Sequence, residues 1–382
     1  MLNQISIKNY KCFKDFTFSF DADGHSLLLL GDNGAGKTSL ADALEIFQKI
    51  GRGDGRVGRL VSPAQRWDGG MPVEFKLAVT LDGIQYEYGF SAELPENFQE
   101  LRILSEELKC GELVAYSRNG ANISFGSHKE RGDFSYDWHV LFLPTFQNAP
   151  LSTLQKRVVV FRDWLANILI LSPEPKHIKA EVAGSLNWPE RNGGNCVAWL
   201  NHVILARPQS YGAVEKYLKG LWKDFMTIVH EQVGSQNKLL RLEFEDNAAK
   251  HRKKFSPPLD LLSDGEKCLF LSAVVVAAHE VVPSQLCFLD EPDNFLSISE
   301  VGHFIGALRQ AFSTQGQLIV SSHNPEVVNA FTESSTWKIG RGSHLWPTEP
   351  PKRISELRGE GSDAVLGKKA SLVHALIAGE VL

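Results

Sequence analysis

The sequence predicts an α/β protein: a mixed or parallel central sheet, a separate antiparallel β layer, and a mainly helical lobe inserted between the two halves of the core. Three observations predict it. The apolar run at residues 27–30 enters a glycine-rich turn and then an amphipathic helix. Residues 72–91 and 112–126 read as strands with the turn pairs Asp82-Gly83 and Asn119-Gly120. Residues 266–321 alternate helix, strand, helix, strand, which is the rhythm of a parallel sheet.

Residues 3–20 read as a hairpin, with Ile5, Ile7 and Tyr10 on one strand, Phe16, Phe18 and Phe20 on the other, and a turn around Lys14 and Asp15. Asp21-Ala-Asp-Gly supplies turn chemistry before residues 27–30, whose unbroken apolarity fits a strand buried on both faces. Leu40, Leu44, Phe47 and Ile50 then keep helical spacing, and Gly51-Arg-Gly-Asp-Gly-Arg-Val-Gly-Arg ends that helix in a flexible basic loop. A short helix around 97–108 separates the strands of the β layer, and Val140-Leu-Phe-Leu-Pro reads as a further strand. Helices near 153–165, 196–206 and 211–234, with a strand at 239–244, fill the insertion; none sustains the heptads of a long coiled coil. A helix at 266–281, a strand at 286–290, a helix at 299–312 and a strand at 317–321 complete the core. Pro347, Pro350 and Pro351 mark a linker before a last helix in 366–382. The division expected is 1–150 for the first part of the core with its β layer, 151–250 for the inserted lobe, 251–340 for the second part of the core, and 341–382 for linker and helix.

Forty Lys and Arg against forty-five Asp and Glu, in a chain that is 43% apolar, describe an ordinary soluble globular protein and exclude wholesale disorder. A net charge of -5 argues against a protein that coats nucleic acid, although a local basic patch stays open. The five cysteines show no metal-ligand spacing and read as free thiols in a reducing compartment, the cytoplasm. Residues 1–13 lack a signal peptide's apolar stretch, and the longest apolar run, 269–282, holds His279 and Glu280 and falls short of the roughly 20 residues that cross a bilayer.

Gly31-Asp-Asn-Gly-Ala-Gly-Lys-Thr matches GxxxxGK[ST] between a strand and a helix, the context in which backbone N–H groups curl around a phosphate and the helix adds its positive end. Gly31, Asn33, Gly34, Ala35, Gly36, Lys37, Thr38 and Ser39 are therefore the expected ATP-binding set, with Lys37 on the β and γ phosphates and the Thr38 hydroxyl on Mg²⁺. Leu286-Cys-Phe-Leu-Asp290-Glu291 ends an apolar strand in two acids, which strand alternation would send to opposite sides. Asp290 is assigned to Mg²⁺ and Glu291 to the attacking water. Ser263-Asp-Gly-Glu266 precedes the apolar helix, and a plain capping box competes with any functional reading of it.

The order phosphate loop, Leu262-Ser263-Asp264-Gly265-Glu266, Asp290-Glu291-Pro292 and Ser321-Ser322-His323 resembles that of the ATP-binding cassette ATPases, with Asp264 where transporter members usually carry glycine. The resemblance implies a homodimer formed through the ATP sites, or a higher oligomer built on it. Ser263 and Gly265 of one copy would close on the γ phosphate held by the other, and His323 would sense that phosphate beside Glu291. Asp293 would fall in the loop that reaches the partner's site.

Transporter cassettes separate the phosphate loop from the signature by about a hundred residues, less than half the gap between Thr38 and Ser263, so an insertion is demanded. Ile5-Ser-Ile-Lys-Asn-Tyr-Lys-Cys-Phe resembles the opening of SMC and RecF-type ATPases, and Arg191-Asn-Gly-Gly-Asn195 resembles a motif of OLD-like ATPases. Gln147 is the candidate third Mg²⁺ ligand; Tyr10 and Lys11 are candidates for the adenine contact. OLD-type nucleases append a metal-dependent nuclease domain, for which no ligand pattern follows Gly340, so no intrinsic nuclease is expected. Arg52, Arg56 and Arg59, and the run from Lys250 to Lys254, are the candidate DNA-contacting segments, with solvated loops as the plain alternative. The expected function is a cytoplasmic, non-transporter ATPase whose dimer controls a separately encoded effector, such as a nuclease in antiphage defence. A RecF-like DNA clamp and a structural ATP-binding scaffold are the alternatives. No membrane partner is expected.

Overall fold

The computed structural model describes residues 1–21, 24–125, 132–146, 152–246, 253–283 and 285–357. The chain opens with β1 (Leu2–Tyr10), β2 (Phe13–Ser19), β3 (Ser26–Leu30), α1 (Lys37–Gly51) and the short α2 (Val57–Leu60). Then come β4 (Val73–Leu81), β5 (Ile84–Glu93), β6 (Arg102–Cys110), β7 (Leu113–Asn119), β8 (Asn122–Phe125) and β9 (Gly132–Ser135). The middle holds α3 (Thr153–Ala166), β10 (Leu169–Leu171), β11 (Glu181–Val182), α4 (Cys196–Ala206), α5 (Ser210–Leu221), β12 (Phe225–Val233), β13 (Asn237–Asp246) and β14 (Lys253–Phe255). The last part is α6 (Asp264–Val281), β15 (Leu286–Asp290), α7 (Ile298–Ala311), β16 (Gln317–Ser321), α8 (Pro325–Asn329), β17 (Thr336–Lys338), β18 (Lys352–Arg353) and α9 (Ile354–Leu357).

The central sheet runs β10-β15-β16-β3-β17-β18, parallel except for β18. Both its faces are buried. On β3, Leu27 and Leu29 enter a core shared with α1, α3 and the β layer, while Leu28 and Leu30 enter a second core shared with α4 to α8. That double burial is why residues 27–30 are apolar without alternation. The β layer is a separate antiparallel sheet, β2-β1-β4-β5-β6-β7-β8-β9.

Several expectations change. The first hairpin turns at Lys11-Cys12, not Lys14-Asp15, and Lys11 takes a left-handed φ of 50° to make it. Residues 97–108 hold no helix: β6 occupies 102–110, and bulges opposite Ser91/Ala92 and at Leu108/Lys109 break the alternation that would have marked a strand. Val140 makes only an isolated bridge to Arg56, and residues 143–145 form a 3₁₀ turn rather than a strand. The 211–234 stretch is helical only to Leu221, after which β12 pairs antiparallel with β13. Residues 151–250 are thus mixed, not mainly helical: β10 is an edge of the central sheet, and β11 to β14 form a small sheet of their own. The basic loop after α1 is ordered by the buried Val57, Leu60 and Val61. Gln147, the basic residues 250–252 and the helix expected in 366–382 lie outside the described residues. No helix among the described residues is long and apolar enough to cross a membrane. All five cysteines are buried and free.

Candidate functional site

The carboxyl ends of β3, β15 and β16 meet at one crevice, the usual ligand position of an open parallel sheet. The 31–38 loop leaves β3 tightly. A Cβ on Gly31 would lie 2.2 Å from the Ile339 carbonyl, and Gly36, at φ 114°, caps α1 with only 3.1 Å of room against Cys12 and Thr348. The Thr348 hydroxyl donates to the Ala35 carbonyl at 2.9 Å and braces the loop from behind. An open cleft of about 350 Å³ is lined by the 33–39 loop, including Lys37 and Thr38, and by Lys11, Glu291 and Arg341.

Lys37 is buried, and its ammonium donates to the Gly31 carbonyl at 2.5 Å and to Nε2 of His323 at 2.7 Å. Burial lowers the Lys37 pKa, while Glu291, Asp290 and Asp32 oppose that shift. For His323 to accept, its proton must sit on Nδ1. Burial and then the Lys37 charge lower the His323 pKa, favouring that neutral form.

Asp290 is the last residue of β15 and is buried. Its Oδ2 accepts the Thr38 hydroxyl at 2.9 Å and its Oδ1 accepts the Ser321 hydroxyl at 2.5 Å. A hydroxyl and a carboxylate oxygen thus converge beside the phosphate loop. This small set of hard donors fits Mg²⁺, which keeps waters and takes phosphate oxygens for the rest of its shell. Glu291 does not diverge from Asp290 by strand alternation. It has left the strand at φ 48°, a strained conformation for glutamate, fixed by its N–H on the Ser321 carbonyl at 3.0 Å and by Asn294 Nδ2 donating to its Oε2 at 3.0 Å.

Ser263 is the N-cap of α6, and both readings of it hold at once. Its hydroxyl donates to Glu266 Oε2 at 2.7 Å and accepts the Glu266 N–H at 3.3 Å, a true capping box, yet the residue is exposed. Neither Ser263 nor Gly265 lines the cleft that Lys37 and Thr38 line. Asp293 is buried, and burial raises its pKa while hydrogen bonds from Ser322 and Asn324 oppose the shift. Of the adenine candidates, Lys11 lines the cleft, whereas Tyr10 is core, edge-on to Phe75.

Sequence reasoning left Arg191 out of the site. Its guanidinium donates to Asp42 at 2.5 Å and Glu45 at 3.0 Å and comes within 3.8 Å of Asp290. Burial works against the Arg191 charge, but the Asp42 hydrogen bond, with Glu45 and Asp290 nearby, holds its pKa above the ordinary value. The signal was the Arg191–Asn195 motif itself. Among the basic-patch candidates, Arg52 is used internally, donating to the Ala166 carbonyl at 3.0 Å with its plane over Trp188, and Arg56 pairs with Glu100 at 2.7 Å.

A P-loop on a parallel sheet, a carboxylate-ended strand separated from it by β16, and a serine-capped helix that does not line the cleft define an ABC-type ATPase head. The chain belongs to the family described as "AAA domain, putative AbiEii toxin, Type IV TA system", whose profile matches residues 27–329, and a second AAA-domain profile matches residues 4–47. It is a member of the AAA ATPases that is similar to SMC proteins over part of its length. Two chromosome partition proteins Smc are similar over part of the chain: that of Fusobacterium nucleatum at 32% identity over 111 residues, and that of Chlorobaculum tepidum at 33% over 112. Those stretches cover 28% and 27% of this chain and 9% of each relative. Among solved structures, an Smc head bound to the C-winged helix domain of ScpA superposes with a TM-score of 0.53 at 14% identity, covering 93% of this chain and 99% of that one. That likeness is one of fold.

Proposed function

We propose that the chain is a Mg²⁺-dependent ATPase that works as a homodimer, each copy completing the nucleotide site of the other, and that its nucleotide state controls a separately encoded effector. One observation carries the reading: Lys37, Thr38 and Glu291 line one cleft, with His323 and Asp290 hydrogen-bonded to the first two, while Ser263 caps an exposed helix terminus that neither lines the cleft nor bonds to them. A helix N-terminus is an anion site, so an exposed one fits a phosphate held by a second copy.

When bound, the metal would neutralise phosphate charge between Thr38 and Asp290. Lys37 would turn from His323 to the phosphates. Glu291, held by Asn294 and angled out of its strand, would orient a water and take its proton. His323 would then steady Glu291 and the terminal phosphate. An effector, such as a nuclease acting against phage, is supported by the toxin and antitoxin wording of the family's description and by a head of this fold that binds a separate protein. Arg52 is spent on the Ala166 carbonyl and Arg56 on a surface pair with Glu100, which makes a DNA clamp the weaker alternative.

The test is Glu291→Gln. With ATP and Mg²⁺, turnover should fall about 10²–10³-fold and sedimentation should show an ATP-dependent dimer. Unchanged turnover together with an unchanged assembly state would refute the mechanism.

A further inference from the structure

The Arg191–Asn195 motif builds a turn whose parts all serve to deliver one guanidinium. Ser172 N–H donates to the Arg191 carbonyl at 2.8 Å and Glu174 N–H to that of Asn192 at 2.9 Å, so the turn docks on the segment after β10. Asn192 and Asn195 close it through their side chains, accepting from the N–H of Gly194 at 2.8 Å and of Glu190 at 2.7 Å. Gly193, at φ 76°, lies so near α6 that a Cβ would stand 2.6 Å from Leu271.

What the turn delivers is placed unequally. Thr38, Asp42 and Glu45 share one face of α1 by helical spacing, and that face looks at Asp290. Arg191 bonds the two α1 acids closely but stays 3.8 Å from Asp290 Oδ2, the atom that already accepts Thr38. Lys11 also pairs with Asp42 and Lys49 with Glu45 at 2.8 Å, so Arg191 links Asp290 to two acids that each have a second cation.

We propose that Arg191 is a positioning residue for the metal site: the α1 acids tether its guanidinium where it aims and charge-balances Asp290 without occupying the oxygen the metal needs. This rests on the ATPase reading above. Two variants separate its halves with opposite signs. In Arg191→Met, Asp42 and Glu45 keep Lys11 and Lys49 while Asp290 loses the guanidinium beside it, and the site should take up a divalent ion without nucleotide. In the double variant Asp42→Asn, Glu45→Gln the freed guanidinium should settle on Asp290 and compete with the metal.

The readout is Mn²⁺ bound to the full chain, followed by electron paramagnetic resonance with and without a non-hydrolysable ATP analogue. Wild type should hold tight Mn²⁺ only with the analogue. Arg191→Met should bind an ion without it, and the double variant should need about tenfold more Mn²⁺ with it. If either variant fails to fold, the sign of the other decides. Both variants folded and titrating as wild type would overturn the proposal, whereas a wild type that binds neither analogue nor Mn²⁺ would sink the ATPase reading itself.

Discussion

The Lys37 ammonium lies 2.7 Å from Nε2 of His323, so the residue expected to grip the terminal phosphates is tied to the one expected to sense them. ATP entry has to break that contact. Replacing His323 with alanine therefore removes a competitor as well as a helper. His323→Ala should lower kcat about 10²-fold while leaving ATP affinity equal or tighter, a split that single-turnover kinetics and calorimetric titration resolve. A loss of affinity as large as the loss of kcat would mean that the contact does not oppose binding.

Ser263 exposed on a helix end, away from its own cleft, makes complementation the direct test of a shared site. Lys37→Ala and Ser263→Arg should each be inactive alone. Mixed, their heterodimers carry one intact site from the phosphate loop of one chain and the signature of the other, so roughly a quarter of wild-type ATP turnover should return. No recovery on mixing would place the signature outside the reacting site.

The phosphate loop, the Asp290–Glu291 strand end and the parallel rhythm were legible because each couples local residue chemistry to an unambiguous period: four leucines buried on both faces, four apolar residues running into two acids, a helix at regular spacing. What was not legible depends on contacts between distant segments. β6 was hidden because its inward face carries Glu106 among Ile103, Leu108 and Cys110 and because two bulges shift its alternation. β12 was hidden because α5 passes into it through Trp222 with no proline, and because Gly220 lies inside the last turn of the helix instead of after it. Arg191 was invisible as a site residue because its partners lie on α1 and β15, and no spacing rule links them.

Glu106 is a fully buried carboxylate. It accepts the hydroxyls of Tyr88 and Tyr116 at 3.0 and 2.8 Å and the N–H groups of Phe142 and Leu143 at 2.7 and 3.1 Å, with Arg118 at 3.8 Å. Burial raises its pKa and these donors oppose the shift. Glu106→Leu would strand four buried donors and the Arg118 charge, costing about 3–5 kcal/mol in urea unfolding. Arg56→Ala, which breaks an exposed pair with Glu100, should leave the midpoint where it is. Equal effects would show that the buried acid is not what pins the 142–143 segment to the β layer.

His279 sits in the last turn of α6, where the helix dipole favours a cation, yet burial dominates and lowers its pKa to about 4. Its ring stacks on Phe312 at 3.9 Å, and its Nδ1 has no hydrogen-bond partner among the described residues. The unfolded chain binds a proton near pH 6.5 that the folded chain refuses until about 4. Stability from this group is thus complete above pH 6.5 and drains away as pH falls toward 4, by about 2 kcal/mol once partial solvent contact is allowed for. His279→Leu keeps an apolar filler against Phe312 and removes the titration. Its unfolding free energy should fall less steeply than that of wild type between pH 6.5 and 4, and parallel acid branches in the two proteins would show that this histidine is not the group that charges.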